Sequence, residues 1–251
     1  MRRLQLLLIA LWAIGYSSSG QEVHQLELGG TPVALVMHNS GKYGPLYYNM
    51  HDNENTSVEA AMKIVRRKGG VLFELVHSGG RYIEFDLDTV HYAIDPNRIY
   101  TDTGVWRELE RTGLRDTVVF DMVRQFADTL LSIMYLDAQK LVVALHNNSD
   151  CRYCIYSYTA GGDYEEDAEA VFRGKWEDPD EFYFVTERTH YDVLQRTGFN
   201  IVLQNNATVT DDGSLSVYCG QRGIQYINVE GEHGHLKEQK RMIRRMIRAL
   251  K

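Results

Sequence analysis

A histidine and a glutamate three residues apart, His51 and Glu54 in "HDNE", separate the strand-like "PLYYNM" from a helical pattern. A second histidine, His146, stands directly after the continuously apolar "LVVAL", and Glu230 directly after "QYINV". Two imidazole nitrogens and one carboxylate oxygen form a donor set with which zinc builds a catalytic centre, a water completing it. His51, Glu54 and His146 would supply those donors. Bound zinc lowers the pKa of water toward about 7, and a carboxylate outside the ligand set must take and return the proton. Glu230 is the candidate for that role. The fragment "AIDPNRIYT" adds three more residues in one tight turn. Asp95 would accept the second ring N–H of His51, as carboxylates behind metal-ligating histidines do. Arg98 offers a planar fork matched to a substrate carboxylate, with Asn97 as a neighbouring donor. Singly these are ordinary residues: H-x-x-E arises by chance, and a histidine at a strand end is more often a satisfied polar group. Their order and their placement at strand ends carry the reading.

The same order resembles the zinc carboxypeptidase family, including its compact succinylglutamate desuccinylase/aspartoacylase-like relatives. The family pattern is H-x-x-E, then D-x-N-R, then a histidine after a buried strand, then a glutamate on a late strand. Here it reads "HDNE", "DPNR", "LHNN" and "NVEGE". The resemblance implies one zinc ion on His51, Glu54 and His146, with Glu230 as general base and acid. It also implies Asp95 behind the metal site and Asn97 and Arg98 as anchors for a free carboxylate. An arginine ahead of D-x-N-R polarises the scissile carbonyl in the peptidases, and Arg81 in "SGGRYIEF" stands at a fitting place. Glu232 competes with Glu230 as base, but Glu230 directly follows "YINV", where a strand end would hold it. For the late tyrosine of the peptidases Tyr218 is nearest, and an ordinary strand aromatic is the simpler reading.

These residues need rigid elements to hold them. Strand-like runs cover residues 31–37, 45–50, 71–76, 82–85, 141–145, 182–185, 200–203 and 225–229. Helical patterns cover 57–68, with Thr56 or Ser57 as cap, Glu59 in the first turn and Gly69 as stop, and also 116–135, 187–196 and 236–251. Strands alternating with helices predict an α/β fold, a mixed, largely parallel central sheet with helices on both faces. In such sheets chemistry collects beyond the carboxyl ends of the strands, where His51, His146 and Glu230 fall. The closing helix is basic and amphipathic. It has the makings of a contact for anionic lipid, but its Met, Ile and Leu follow core spacing.

The first twenty residues have the layout of a secretory signal peptide: Arg2 and Arg3, an apolar run from Leu4 to Ile14, then small residues. The expectation is therefore a secreted or periplasmic protein with one domain over 21–251 and no stable membrane insertion after signal removal. A net charge of −7 argues against a nucleic-acid partner. Three cysteines are too few for a disulfide scaffold, and the C-x-x-C of Cys151 and Cys154 has no second pair to complete a zinc knuckle. Sequons at Asn55, Asn147 and Asn206 matter only where the source glycosylates proteins. His233 and His235 flank the last helix, where capping is the simpler reading. His77 in "HSGG" reads as a turn residue. The leading function is a zinc hydrolase cleaving an amide next to a free carboxylate in a peptide, and the second reading within enzymes is an N-acyl amino acid deacylase. The alternative outside enzymes is a non-catalytic peptide- or glycan-binding module on the same fold.

Overall fold

The computed structural model describes residues 20–113, 115–149, 152–175 and 178–251. The expected signal segment, Cys151 and the other intervening positions lie outside them. In chain order the elements are β1 (Gly20–Leu28), β2 (Thr31–Asn39), β3 (Leu46–Asn49), α1 (Asn55–Lys68), β4 (Val71–Val76), β5 (Ile83–Leu87) and β6 (Val90–Ile94). There follow α2 (Asp102–Glu110), α3 (Thr117–Ile133), β7 (Val142–Asn148), β8 (Ala168–Phe172) and β9 (Phe182–Val185). The chain closes with α4 (Arg188–Leu194), β10 (Asn200–Gln204), α5 (Leu215–Arg222), β11 (Tyr226–Glu232) and α6 (Leu236–Ala249).

Nine strands form one sheet in the order β1-β2-β4-β3-β7-β11-β9-β10-β8, and β5 with β6 make a separate hairpin. The block β4-β3-β7-β11 is parallel throughout. Its two middle strands, β3 and β7, open on the continuous apolar runs Leu46–Tyr48 and Val142–Leu145, as parallel strands covered on both faces do. One face packs against α1, α4 and α6 through Tyr47, Ile64, Val143, Leu194, Ile227 and Met242. The other packs against α2, α3 and α5 through Tyr48, Val105, Val123, Ala144, Leu215 and Tyr226. The mixed, largely parallel sheet with helices on both faces is thus the observed architecture.

Local chemistry sets several boundaries. Asp116 accepts from Val118 N and Val119 N and starts α3. Gly69, at φ +99°, ends α1 in a conformation that favours glycine. In α6, Met242, Ile243 and Met246 are fully buried, so its apolar stripe is spent on the sheet. The expected cap of α1 is corrected: Glu54, not Thr56 or Ser57, takes the N-cap position, with no side-chain cap bond, and no acid lies in the first turn. The Glu54 carboxylate is engaged elsewhere, by the histidines, while Ser57 Oγ donates to the Glu54 carbonyl oxygen at 2.8 Å. Strands β1, β6 and β8 and helices α2 and α5 were not expected. The sheet-edge strands β1 and β8 bury few side chains, and the two helices run only nine and eight residues.

Candidate metal centre

The parallel block brings three chain segments to one edge. In register, Tyr48 of β3 faces Ala144 of β7, and His146 of β7 faces Glu230 of β11. His51 follows the end of β3 and His146 lies near the end of β7, so both emerge on the carboxyl side of neighbouring strands. Glu54 N donates to His51 O at 3.0 Å, a tight turn that sets the glutamate beside the histidine before α1 begins.

Three ligand-type groups converge there. His51 Nδ1 lies 2.7 Å from Glu54 Oε1, His146 Nδ1 lies 3.0 Å from Glu54 Oε2, and the two Nδ1 atoms are 3.2 Å apart. All three residues are buried. The other nitrogen of His51, Nε2, stands 2.9 Å from Asp95 Oδ1. An ionised carboxylate only accepts, so Nε2 carries the proton. A neutral His51 ring then has its Nδ1 lone pair facing a carboxylate oxygen and a second imidazole nitrogen. That arrangement is repulsive unless positive charge stands close: Arg81 Nη1, 3.5 Å from His51 Nδ1, supplies part of it from one side, and a cation among the three would supply the rest. A divalent metal satisfies it, and in its absence a proton does. Accordingly, burial would lower the His51 pKa, but the Glu54 and Asp95 carboxylates outweigh it and raise it to about 9. Burial pushes Glu54 upward, but His51 and His146 outweigh it and hold it near 2. His146 is lowered, burial dominating. Its Nε2 is buried with no hydrogen-bond partner among the described residues, so it lacks the support that Asp95 gives His51.

Asp95 is itself anchored. Its oxygens accept from Asn97 N at 2.8 Å and from Arg81 Nε at 3.1 Å. Arg81 also reaches Glu54 Oε1 at 3.2 Å, so its guanidinium braces two acids of the centre while its side chain stays 37% exposed to the cavity. Arg98 Nη1 donates to Asn97 O at 2.8 Å and lies 3.5 Å from Asp212 Oδ2. Asn97 Oδ1 accepts from Leu215 N at 3.0 Å, which fixes the amide and leaves its NH2 as the available donor. Gly104 of α2 and Gly213 meet backbone to backbone beside Arg98 O, holding the turn against the loop that carries Asp212.

Glu230, Arg81, Asn97, Arg98, Glu54 and His146 all line one cavity of about 760 Å³. Glu230 is buried, and the only hydrogen bond to its carboxylate among the described residues comes from Asn228 Nδ2 at 2.9 Å. Burial, with the nearby Glu54 charge, pushes its carboxyl up to about 8. Glu232 points elsewhere: it pairs with His235 at 3.4 Å, in an acidic group with Asp178 and Asp180. Tyr218 lies on helix α5 rather than a strand, donates to Asp137 at 2.9 Å and does not line the cavity. His233 does line it, whereas His235 takes the N-cap position of α6 but pairs with Glu181 and Glu232 instead of capping. His77 is a turn residue, as expected, its ring bonded to Ser78. Cys154 is disulfide-bonded and Cys219 is free and buried. Asn147 spends its amide on Gly231 O and Gln239, and Asn206 on Thr186 O, which ties down both sequon side chains.

The residues that the motifs did not point to are Asn228, Gln204, Asp212 and the tyrosines of the cavity wall. Asn228 had a signal, since it shares the face of its strand with Glu230 two residues on. Asp212 and Gln204 had none.

No protein-family model and no curated protein matches the chain. Among solved structures it is similar to the succinylglutamate desuccinylase from Chromobacterium violaceum, at 16% identity and TM-score 0.50, over 93% of this chain and 73% of that one. A putative succinylglutamate desuccinylase/aspartoacylase from Shewanella frigidimarina aligns at 11% identity and TM-score 0.46, over 93% and 71%. The murein-tripeptide amidase MpaA from Escherichia coli O157 aligns at 13% and 0.46, over 94% and 93%. The Chromobacterium structure carries the comparison: the chain has the zinc-carboxypeptidase-like fold of the compact desuccinylases.

Proposed function

We propose that this protein is an exported, zinc-dependent hydrolase that cleaves an amide bond adjacent to a free carboxylate. The observation that carries the reading is the meeting of His51 Nδ1, His146 Nδ1 and the Glu54 carboxylate within 3.2 Å of one another, in a cavity that also holds Glu230 and Arg98. Bound there, zinc would supply Lewis acidity, polarising a carbonyl and acidifying a water. Asp95 keeps His51 in the tautomer whose Nδ1 is free to ligate. Glu230 takes the proton of the attacking water and returns it to the leaving nitrogen; a buried carboxyl tuned upward suits both transfers. Arg81, already beside Glu54, is placed to meet the carbonyl oxygen as it gains charge. Arg98 and the Asn97 amide receive the substrate carboxylate, with Asp212 as the partner that Arg98 keeps in its absence.

A cavity of about 760 Å³ falls in the range of small-molecule sites, roughly 300–1,000 Å³. That size accommodates an N-acyl amino acid or the last residues of a peptide, and it supports the deacylase reading beside the peptidase one. Among the described residues no helix is long and apolar enough to cross a membrane. The export part of the proposal rests on the N-terminal sequence alone.

The test is a panel of short peptides and N-acyl amino acids offered to the zinc-loaded protein as free acids and as amides. Acids should be cleaved at least tenfold better. Arg98→Ala should narrow that ratio, and Arg98→Lys should restore it only in part, because an ammonium lacks the planar fork. Equal cleavage of acids and amides by the unmodified protein would remove the carboxylate clamp from the account.

A further inference from the structure

Away from the metal centre the cavity changes character. Tyr226, Asn228 and Glu230 alternate on one face of β11, and in register Asn228 faces Phe184 of β9, which faces Val202 of β10. Gln204 lies two residues beyond Val202 on that same face. It therefore stands two strands from β11, roughly 10 Å across the sheet. Acceptors run along this wall from Asn228, beside Glu230 at the metal end, to Gln204 at the far end. Gln204 and Asn228 are both buried, at 1% and 6% exposure, and each has an amide oxygen without a partner among the described residues.

The Gln204 amide is not free to turn over, and the Asn228 amide is held in the same sense while Glu230 is ionised. Gln204 Nε2 donates to Asn206 Oδ1 at 2.8 Å and to Ser216 O at 3.2 Å, and Asn228 Nδ2 donates to Glu230. The oxygens are thereby fixed as acceptors. Two carboxylates line the same cavity. Asp212 is held by Ser214 N at 2.9 Å, and Asp167 by Thr210 N at 2.8 Å. Each keeps acceptor capacity beyond those bonds. Tyr158 and Phe184 add aromatic wall. Among the cations, Arg81 belongs to the metal end and Arg98 to the turn beside Asp212, while Arg152 is exposed.

We propose that this far end selects a cationic side chain, so that the substrate bears an amine or guanidine on the residue whose carboxylate meets Arg98. The inference rests on the carboxylate-clamp reading and deepens it. The two amide oxygens, without a partner among the described residues, gain from a ligand that brings N–H groups, and they penalise one that brings only methylenes. A cation adds attraction to Asp212 and to the aromatic faces. A neutral chain of equal length gains neither.

The test compares Nα-acetyl-lysine with Nα-acetyl-norleucine, which share carboxylate, amide and chain length and differ in the terminal ammonium. Binding is measured as competitive inhibition of the zinc-loaded, unmodified protein by the products lysine and norleucine, and kcat/KM on the two acetyl compounds with the same protein. The lysine compound should win by at least tenfold in both, and Asp212→Asn should cut that ratio to about threefold or less. Equal or tighter binding of norleucine would overturn the proposal, showing that water alone meets these acceptors. So would no binding of the lysine compound at millimolar concentration. The amides of both compounds separate the two readings. Loss of acid preference with a lysine advantage retained defeats only the clamp, whereas acid preference without a lysine advantage defeats only this proposal.

Discussion

At the scale of single residues, the assignment turns on what each side chain does with its protons. Glu230 is a carboxyl raised to about 8 by burial and by Glu54, hydrogen-bonded by Asn228 alone among the described residues. Glu230→Gln should keep zinc and fold but lower kcat by about 10²–10⁴-fold, the usual worth of a general base. Steady-state kinetics with metal analysis on the same sample checks this, and the same loss in Glu232→Gln instead would transfer the role. Asp95 holds His51 at 2.9 Å and is in turn held by Arg81. Asp95→Ala should weaken zinc binding by about 10–100-fold, measured by competition with a chelator of known affinity. Unchanged affinity would leave Asp95 as a turn former only. These candidates could be named from the sequence because the roles proposed for them demand particular side chains at particular strand ends. Asp212 was not, because a loop carboxylate acquires a role only when folding lays it against Arg98.

At the scale of elements, the strands that carry the centre could be read from their apolar runs. The boundaries of β4 and β9 follow the sequence to the residue, since both are buried along their whole length apart from two half-buried positions in β4. What could not be read was pairing across the chain and short elements whose stability is tertiary. Helix α2 is one, and it packs against the turn that carries Asn97 and Arg98. A Cβ on Gly104 would sit 2.1 Å from the Gly213 Cα and 2.6 Å from Arg98 O, both of them backbone atoms that cannot swing aside. Gly104→Ala should therefore separate the Asn97–Arg98 turn from the Asp212 loop, costing about 1–3 kcal/mol as overpacking does. Denaturant midpoints measure the cost. A raised KM for acid substrates, with amides unaffected, would show that the displaced turn is the one that binds the carboxylate.

For the whole molecule, the centre is a concentration of buried charge that the fold must hold together without metal. A ligand that binds only the native state stabilises it, by about 4.1 kcal/mol at a thousandfold excess over Kd. Zinc should thus raise Tm by several degrees, and His146→Ala should abolish most of the difference. Glu230 gives the metal-free protein a pH signature. Its folded pKa of about 8 lies above its unfolded value, so the folded state binds the proton more tightly. Stability from this group is fully present below the unfolded pKa and is lost as pH rises from about 4.5 to 8. Metal-free Glu230→Gln should match the parent at pH 4 and melt higher at pH 8, by differential scanning calorimetry. A parallel displacement at both pH values would mean that the group is not buried as described. The fold class was legible from the alternation of strands and helices, but the edge strands β1 and β8 were not, having little apolar surface to announce them.

The most direct measurement is anomalous X-ray scattering at the zinc edge from crystals of the purified protein, paired with elemental analysis of the same preparation. The account predicts one zinc per chain, bonded to His51 Nδ1, His146 Nδ1 and the Glu54 carboxylate at about 2.0–2.2 Å. It also predicts that the ion is lost from a His51→Ala, His146→Ala double variant that still folds. A protein that stays metal-free in zinc-containing buffer, or that holds its zinc on other residues, would contradict it.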